Sequence, residues 1–218
     1  MEKNFTKKLR SFTLIELMVS VMIVVLISTV AVISLNPARQ STTTSSAADE
    51  VKSAIEELRS YAVGPHRDRV THYVLVIKKS GTDTESYCNG EGGSNRLNAA
   101  NQYMICSTFL KDISGLNAAM LNNDFSKVRS GSFSGTITLS DNIASIPGPT
   151  PFDDSHDIVL NARTYDYQLG YNGKYYDGVD PAHRVNTTTN PFITVTQGNF
   201  SKKITIDPIL GVITLSNV

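Results

Sequence analysis

The sequence predicts an α+β fold, in which one long N-terminal helix packs its second half on an antiparallel β-sheet. Three observations support this prediction. Residues 17–35 form an almost unbroken apolar run, LMVSVMIVVLISTVAVISL. Val51, Ile55, Leu58 and Ala62 then recur at spacings of four, three and four, which places them on one face of a helix. From His72 onward, short apolar or alternating runs are separated by turns rich in Gly, Asn, Asp and Ser, a pattern typical of strands.

The apolar run is long enough to cross a membrane. No charged residue appears between Glu16 and Arg39, and as a helix about 19 residues extend roughly 28 Å. The segment before the run is basic, so the N-terminus is expected to stay in the cytoplasm and the rest of the chain to be exported. Hydropathy alone leaves a cleaved secretory signal or a plain signal anchor open. Glu16 argues for a specialised segment, because a carboxylate in an apolar helix costs roughly 2.5–3.5 kcal/mol on insertion scales.

The residues around Glu16 carry a specific resemblance. Ser11-Phe12-Thr13-Leu14-Ile15-Glu16-Leu17 resembles the type IV prepilin signature, in which a dedicated cytoplasmic-side peptidase cuts before the Phe and methylates the new amine. One position departs from the pattern, since Ser11 stands where the family normally has Gly. The resemblance implies a filament subunit, either a type IV pilin or a pseudopilin of the type II secretion or competence systems. It also implies that Ser11 and Phe12 form the cleavage and methylation site.

The resemblance assigns Glu16 a role in assembly. Cleavage would create an ammonium group on Phe12, four residues from Glu16 and therefore on the same helix face. In the family, the acid is expected to pair with the Phe12 amine of a neighbouring subunit and so to set the axial register. The implied partners are other pilin or pseudopilin subunits, the prepilin peptidase, an assembly platform and the membrane.

The predicted organisation has four parts. Residues 1–11 are the leader, 12–35 the transmembrane and filament-core helix, 36–62 the exported half of the stem helix, and 63–218 a β-rich head domain. Pro37 and the run of poor helix formers at 40–46 predict a weak point in the stem. Ser46 and Asp49 resemble a capping box, which predicts that the helix resumes at Ala47 and continues to Ala62.

The head domain is predicted to consist mostly of short strands. Tyr171-Asn172-Gly173-Lys174 is a strong hairpin signal, because Asn-Gly suits a two-residue turn with positive φ. A short helix is expected around Leu116 to Leu121, and the chain should end in a hairpin over Lys203 to Leu215. That hairpin resembles the closing strands of minor pseudopilins grouped with the secretion subunit called H and with FimT-like pilins. The other predicted strands are Tyr73 to Lys78, Gln102 to Cys106, Gly135 to Leu139 and Asp157 to Leu160.

Cys88 and Cys106 are the only cysteines, and both fall in the part expected to be exported, where disulfides persist. Each ends a strand-like run, at 85–88 and 102–106. We therefore expect a bridge between them, with two buried thiols as the alternative. No CxxC spacing is present, and two cysteines do not make a zinc site.

No catalytic constellation is evident, so the protein is not expected to be an enzyme or to need a cofactor. Asp153, Asp154 and Asp157 form a weak calcium candidate, although a solvated acidic turn is the common case. Two interpretations stand for the tyrosines near the Asn-Gly hairpin. They form an interaction face for a partner, or they reflect only the preference of aromatic residues for strands. The four histidines lack metal-ligand spacing, and no metal site is assigned to them. The tyrosines and histidines concerned are Tyr165, Tyr167, Tyr171, Tyr175, Tyr176, His66, His72, His156 and His183.

Charge argues against nucleic acid as a partner. The formal charge of the whole chain is zero, the leader contributes +3, and residues 12–218 therefore carry about −3. The expected protein is a minor pilin or pseudopilin, a single-pass membrane protein that is later drawn into a filament outside the cytoplasm. A major pilin of the same class and a signal-anchored surface binding protein are the alternatives.

Overall fold

One continuous helix, α1 (Leu14–Val63), begins the described part of the chain and contains Pro37. The computed structural model describes residues 13–64, 70–79, 85–90, 95–113, 115–143, 157–164, 169–171, 174–175, 190–207 and 211–218. The chain divides into two compact units, Met1–Gln40 and Ser41–Val218. The first is described over 13–40 and consists of helix; the second contains the rest of α1, a short helix and all the strands.

The predicted interruption of the stem helix is wrong. Helical structure continues through 40–46, and Ser46 does not begin a new helix. Thr44, Ala47 and Ala48 are fully buried. Their burial explains the outcome, since helix propensity is a weak preference that tertiary packing overrides.

The second unit contains two large antiparallel sheets and one small one. The six-stranded sheet has the order β5-β4-β1-β7-β8-β9, the four-stranded sheet β12-β11-β10-β6, and β2 pairs with β3. The elements are β1 (His72–Lys78), β2 (Glu85–Ser86), β3 (Arg96–Leu97), β4 (Gln102–Thr108), α2 (Ala118–Asn123), β5 (Ser126–Ser132), β6 (Thr138–Asp141), β7 (Asp157–Arg163), β8 (Leu169–Tyr171), β9 (Lys174–Tyr175), β10 (Phe192–Gln197), β11 (Phe200–Ile206) and β12 (Ile213–Asn217).

The predicted α+β class is confirmed, with the second half of α1 packed on antiparallel sheet. The predicted stripe of Val51, Ile55, Leu58 and Ala62 is fully buried in one core. That core also takes the inner faces of both large sheets, including Leu75, Ile105, Leu160, Ile193, Val195 and Ile204. Burial of the three largest stripe residues is worth about 1.5–3 kcal/mol each, so this part of α1 belongs energetically to the β-rich unit.

A second core lies on the opposite face of the six-stranded sheet. Alternate residues of β1 turn to the two faces, so Leu75 and Ile77 meet α1 while Val74 and Val76 meet the second core. The second core is closed by α2 and by the segments that flank β2 and β3. It contains Tyr87, Cys88, Leu97, Met104, Cys106, Leu116, Leu121, Phe125 and Val159.

Most of the predicted strands are confirmed, with some shifts. The run expected at 135–139 begins only at Thr138, because Gly135 takes a positive φ of 78° in the preceding turn. The short helix expected near 116–121 is α2, whose N-cap Asn117 accepts a hydrogen bond from the Met120 backbone N–H at 2.9 Å.

The two predicted hairpins are also present. β8 and β9 pair through Tyr171 and Lys174, as the Asn-Gly signal requires. β11 and β12 pair at the end of the chain. The Arg59 guanidinium of α1 donates to the Gly211 carbonyl at 2.6 Å and ties the turn of this last hairpin to the helix.

Candidate functional site

The first turn of α1 holds Glu16 in a reciprocal capping box with Thr13. The Thr13 backbone N–H and its hydroxyl both donate to Glu16 Oε2 at 3.1 Å. The Glu16 backbone N–H donates in return to Thr13 Oγ1 at 3.3 Å. Two of the N–H groups that a helix start leaves without partners are thereby satisfied.

This arrangement fixes the carboxylate at the positive pole of the helix dipole. The charge of Glu16 in an apolar run singles out this residue but not its partner Thr13. The Thr-x-x-Glu spacing at the start of an apolar helix was the available signal. Ser11 and Phe12, the predicted cleavage and methylation site, lie outside the described residues.

The helix after Glu16 presents apolar side chains on every side. From Leu14 to Val30 each large apolar residue is at least half exposed, from 50% at Ile23 to 79% at Leu14. The hydroxyls in this stretch bond within the helix: Ser20 to the Glu16 carbonyl, Ser28 to the Val24 carbonyl and Thr29 to the Val25 carbonyl, at 2.7–2.8 Å. The polar side chains are therefore satisfied without any partner outside the helix. Within the described residues, no helix is both long enough and apolar enough to span a membrane.

Comparison with protein families identifies this N-terminal segment. Residues 6–32 match the family described as the prokaryotic N-terminal methylation motif. The chain carries a type IV pilin-like methylation motif. No curated protein and no solved structure shows significant similarity to the chain.

The motif indicates a prepilin-type protein similar to type IV pilins and pseudopilins. It implies, in general terms, processing by a prepilin peptidase and assembly with other pilin subunits. It also suggests a membrane-anchored precursor with a structural role. The more specific resemblance of the C-terminal hairpin to H-type and FimT-like subunits has no support from the comparisons.

The two cysteines lie in the second core, where a disulfide bridge between them joins two of its segments. Their Sγ atoms are at disulfide-bonding distance and their Cα atoms are 6.0 Å apart. Both side chains are buried. Cys106 lies inside β4 rather than at its end, and Cys88 follows β2 with a positive φ of 58°. A bridge here ties the segment after β2 to the centre of the six-stranded sheet.

Of the weak calcium candidate, only Asp157 lies among the described residues. Asp157 accepts a short hydrogen bond from the Tyr87 hydroxyl through Oδ2, whereas Asp153 and Asp154 lie outside the described residues. No group of three or more potential ligands that could hold a metal ion occurs in the described part of the chain.

The other histidines and tyrosines singled out in the sequence lie only partly within the described part of the chain. His72 is buried, and its Nδ1 lies 2.9 Å from the Leu110 carbonyl oxygen, as expected for a structural histidine. Tyr171 and Tyr175 fall in β8 and β9. Residues outside the described ranges are His66, His156, His183, Tyr165, Tyr167 and Tyr176.

A polar cluster that the sequence did not predict joins α1 to the edge strand β5. Arg129 Nη1 donates to Glu57 Oε1 at 2.6 Å, and the Tyr61 hydroxyl donates to the same oxygen at 3.3 Å. The hydrogen bond to Glu57 raises the pKa of the Arg129 guanidinium. Burial, followed by the Glu57 charge, raises the pKa of Tyr61. Glu57 and Arg129 also line an open groove of about 550 Å³.

Proposed function

We propose that this protein is a minor pilin or pseudopilin, a structural subunit of a type IV pilus or of a type II secretion or competence-type filament. The proposal rests on one observation. The methylation motif coincides with a helix whose apolar side chains are exposed all round and whose first turn holds one positioned carboxylate.

An exposed apolar helix requires an apolar surrounding. Exposure of this many Leu, Ile, Val and Met side chains to water is unfavourable by about 25 cal/mol per Å². A lipid bilayer covers such a helix in the precursor, and the equivalent helices of neighbouring subunits cover it in a filament. We propose that residues 12–35 exchange the first surrounding for the second.

The positioned Glu16 carboxylate gives specificity to the transfer of this helix from lipid to filament. In lipid, Glu16 is an unfavourable group at the end of the helix, and its bonds to Thr13 reduce that cost. In the filament, the Phe12 ammonium of a neighbouring subunit would face it as a counter-ion. A buried ion pair of this kind contributes register more than stability.

Export places the β-rich unit in an oxidising compartment, where the Cys88–Cys106 bridge persists. The basic leader and the uncharged stretch from Leu17 to Ala38 support this single-pass orientation. The geometry of this one chain fits a minor and a major subunit equally. The minor assignment depends on the resemblance of the C-terminal hairpin.

Processing tests the proposal directly. Co-expression with a prepilin peptidase should remove residues 1–11 and add one methyl group to Phe12, as measured by intact mass. Ser11→Gly is the matched variant and should be cut at least as fast, since Gly is the usual residue at this position. A mature protein that begins near Ala31, or that retains Met1 in the presence of the peptidase, would refute the proposal and favour a secretory signal or a plain anchor.

Replacement of Glu16 tests assembly separately from insertion. Glu16→Ala should insert into the membrane as well as the parent, because an unfavourable group is removed, but its incorporation into filaments should fall sharply. Ser20→Ala is the control, since Ser20 is polar, lies four residues further along the same helix and bonds only within it. Equal incorporation of Glu16→Ala and the parent, measured in sheared filament fractions, would show that the carboxylate has no pairing role.

A further inference from the structure

The last strand, β12 (Ile213–Asn217), forms one edge of the four-stranded sheet. The Asp207 backbone N–H donates to the Val212 carbonyl at 2.8 Å, and the Val218 N–H donates to the Ser201 carbonyl at 3.4 Å. Because backbone bonding alternates along an antiparallel strand, the even-numbered residues from 212 to 218 bond to β11. The backbone groups that point outward from the edge are those of Ile213, Leu215 and Asn217.

Two other edges of the large sheets are protected against the addition of a strand. β5 carries Lys127 and Arg129, and its pairing with β4 contains a register shift. β6 is tied to the other large sheet, since Lys79 Nζ lies 2.9 Å from Asp141 Oδ2. Charges, bulges and covering contacts are the usual means by which proteins keep foreign strands from an edge. β12 contains no charged residue and no proline, and its register with β11 is regular. It is therefore an edge on which a further strand can pair.

Exposed apolar side chains flank this edge. Val212 is 48% exposed and Val218 is 77% exposed, and they lie just beyond the two ends of β12. Leu215, at the centre of the strand, is half-buried although it packs against the main core. By strand alternation the two valines lie on the outer face of the sheet and Leu215 on the inner face. A strand added to β12 would cover apolar surface on both faces.

The edge is complementary to a second copy of itself. A two-fold axis at Leu215 sets Leu215 against Leu215 of the second copy, and Ile213 against its Asn217. These are the residues whose backbone groups point outward, so each such pair can exchange two hydrogen bonds. The same register sets Val212 against Val218 of the second copy, so that exposed apolar side chains meet at both ends. A shift by two residues in either direction keeps the hydrogen-bond pattern but separates the valines.

We propose that β12 is a homotypic docking edge, which pairs antiparallel with β12 of a second copy and joins two four-stranded sheets into one. The second half of α1 packs on the inner face of this sheet. A two-fold axis perpendicular to the sheet therefore reverses the direction of that half-helix in the second copy.

This reversal determines where the second copy lies. A helical filament repeats its subunit by a screw rotation, which preserves the direction of α1. Two subunits of one filament therefore cannot pair in this way, and the partner is a copy in a second filament that runs in the opposite direction. The placement in filaments rests on the function proposed above, whereas the pairing of two copies does not.

Disulfide trapping of the full-length protein in detergent tests the pairing. A strand this short pairs only weakly, so a covalent trap is needed. Thr214→Cys and Ser216→Cys are prepared as separate proteins, mixed and oxidised. In the proposed register these positions face each other in a non-hydrogen-bonded pair, where side chains approach most closely and a disulfide can form. The mixture should give several-fold more linked dimer on a non-reducing gel than either variant alone.

A control pair and a blocking variant accompany the trap. Ser130→Cys mixed with Ser132→Cys places exposed thiols at the same spacing on the protected edge β5 and should give only background dimer. Asn217→Pro, added to both trapping variants, removes an outward N–H without removing a bond to β11, which an edge strand tolerates. It should leave the melting temperature unchanged and reduce the dimer to background.

The outcomes separate this proposal from the filament role. No dimer above the β5 control, equal trapping with Asn217→Pro, or trapping of Thr214→Cys with itself as strong as in the mixture would overturn the pairing. In electron micrographs, parent filaments should lie side by side, and Asn217→Pro filaments should be equally abundant but single. Single filaments of the parent would overturn the link between filaments. Peptidase cleavage should be normal in every variant, so failure here leaves the proposed subunit role standing.

Discussion

The two halves of α1 have opposite environments although they share one helix. In the first, Leu26 and Ile27 are 65% and 63% exposed, whereas in the second, Ile55 and Leu58 are fully buried. The first half is apolar on all sides, and the second is apolar along one stripe with charged and hydroxyl residues around it. A helix that is apolar on all sides suits a membrane or a helical filament core, while an amphipathic helix suits a sheet. The boundary at Gln40 therefore separates two environments within a single element.

Removal of the second half of α1 should have the largest effect on the β-rich unit. A fragment of residues 41–218 should fold and unfold cooperatively, because the core is then complete. A fragment of residues 64–218 loses the side chains of Val51, Ile55 and Leu58 at about 1.5–3 kcal/mol each, which is comparable with the whole stability of a typical domain. It should be unfolded or molten by near-UV circular dichroism. Equal melting temperatures for the two fragments would show that the stripe packs elsewhere.

A matched pair of leucines tests the contrast within the intact helix. Leu58→Ala removes a fully buried side chain and should lower the free energy of unfolding of the β-rich unit by about 2–5 kcal/mol. Leu26→Ala makes the same chemical change at an exposed position and should leave that unfolding transition unchanged. Both are measured by thermal melting of the full-length protein in detergent. A comparable loss in the two variants would mean that the halves do not differ as their exposure indicates.

The sequence predicted the two halves better than it predicted the sheets. Apolar runs identified β1, β4 and β7 because their side chains are buried. β5 was missed because its sequence, SKVRSGS, is mostly exposed and has no apolar alternation. β5 is placed by its backbone pairing with β4, and such a long-range contact leaves no local pattern.

β10 was also absent from the predicted strands, but for a different reason. Its sequence, FITVTQ, alternates as a strand should, and the Gly198-Asn199 turn with a positive φ at Gly198 completes a hairpin signal. The information was present in the local sequence. At the candidate site, the charge of Glu16 was enough to single it out. The hydrogen bonds that position Glu16 depend on Thr13, and they can be predicted only from the spacing of the two residues.

The disulfide should stabilise the β-rich unit alone. Cys88→Ala/Cys106→Ala removes a link across a sequence separation of 18 residues, for which chain-entropy models give roughly 3 kcal/mol. The melting temperature of the 41–218 fragment should fall, while peptidase cleavage of the full-length variant should proceed at the parental rate. Titration of two free thiols in the parent protein purified under oxidising conditions would rule the bridge out.

The smallest expected effect concerns the capping box at the start of α1. Thr13→Val keeps the shape of the side chain but removes the hydroxyl that bonds Glu16, at a cost of about 0.5–2 kcal/mol for a helix cap. The first turn should then open more often, so its amide protons should exchange with solvent several-fold faster in detergent micelles. Thr13→Ser retains the hydroxyl and should behave as the parent does. Because the second half of α1 is held by tertiary packing and not by its cap, exchange at Val51 and Ile55 should be the same in all three proteins. Faster exchange at those buried positions would show that the helix responds as one unit, which would contradict the division at Gln40.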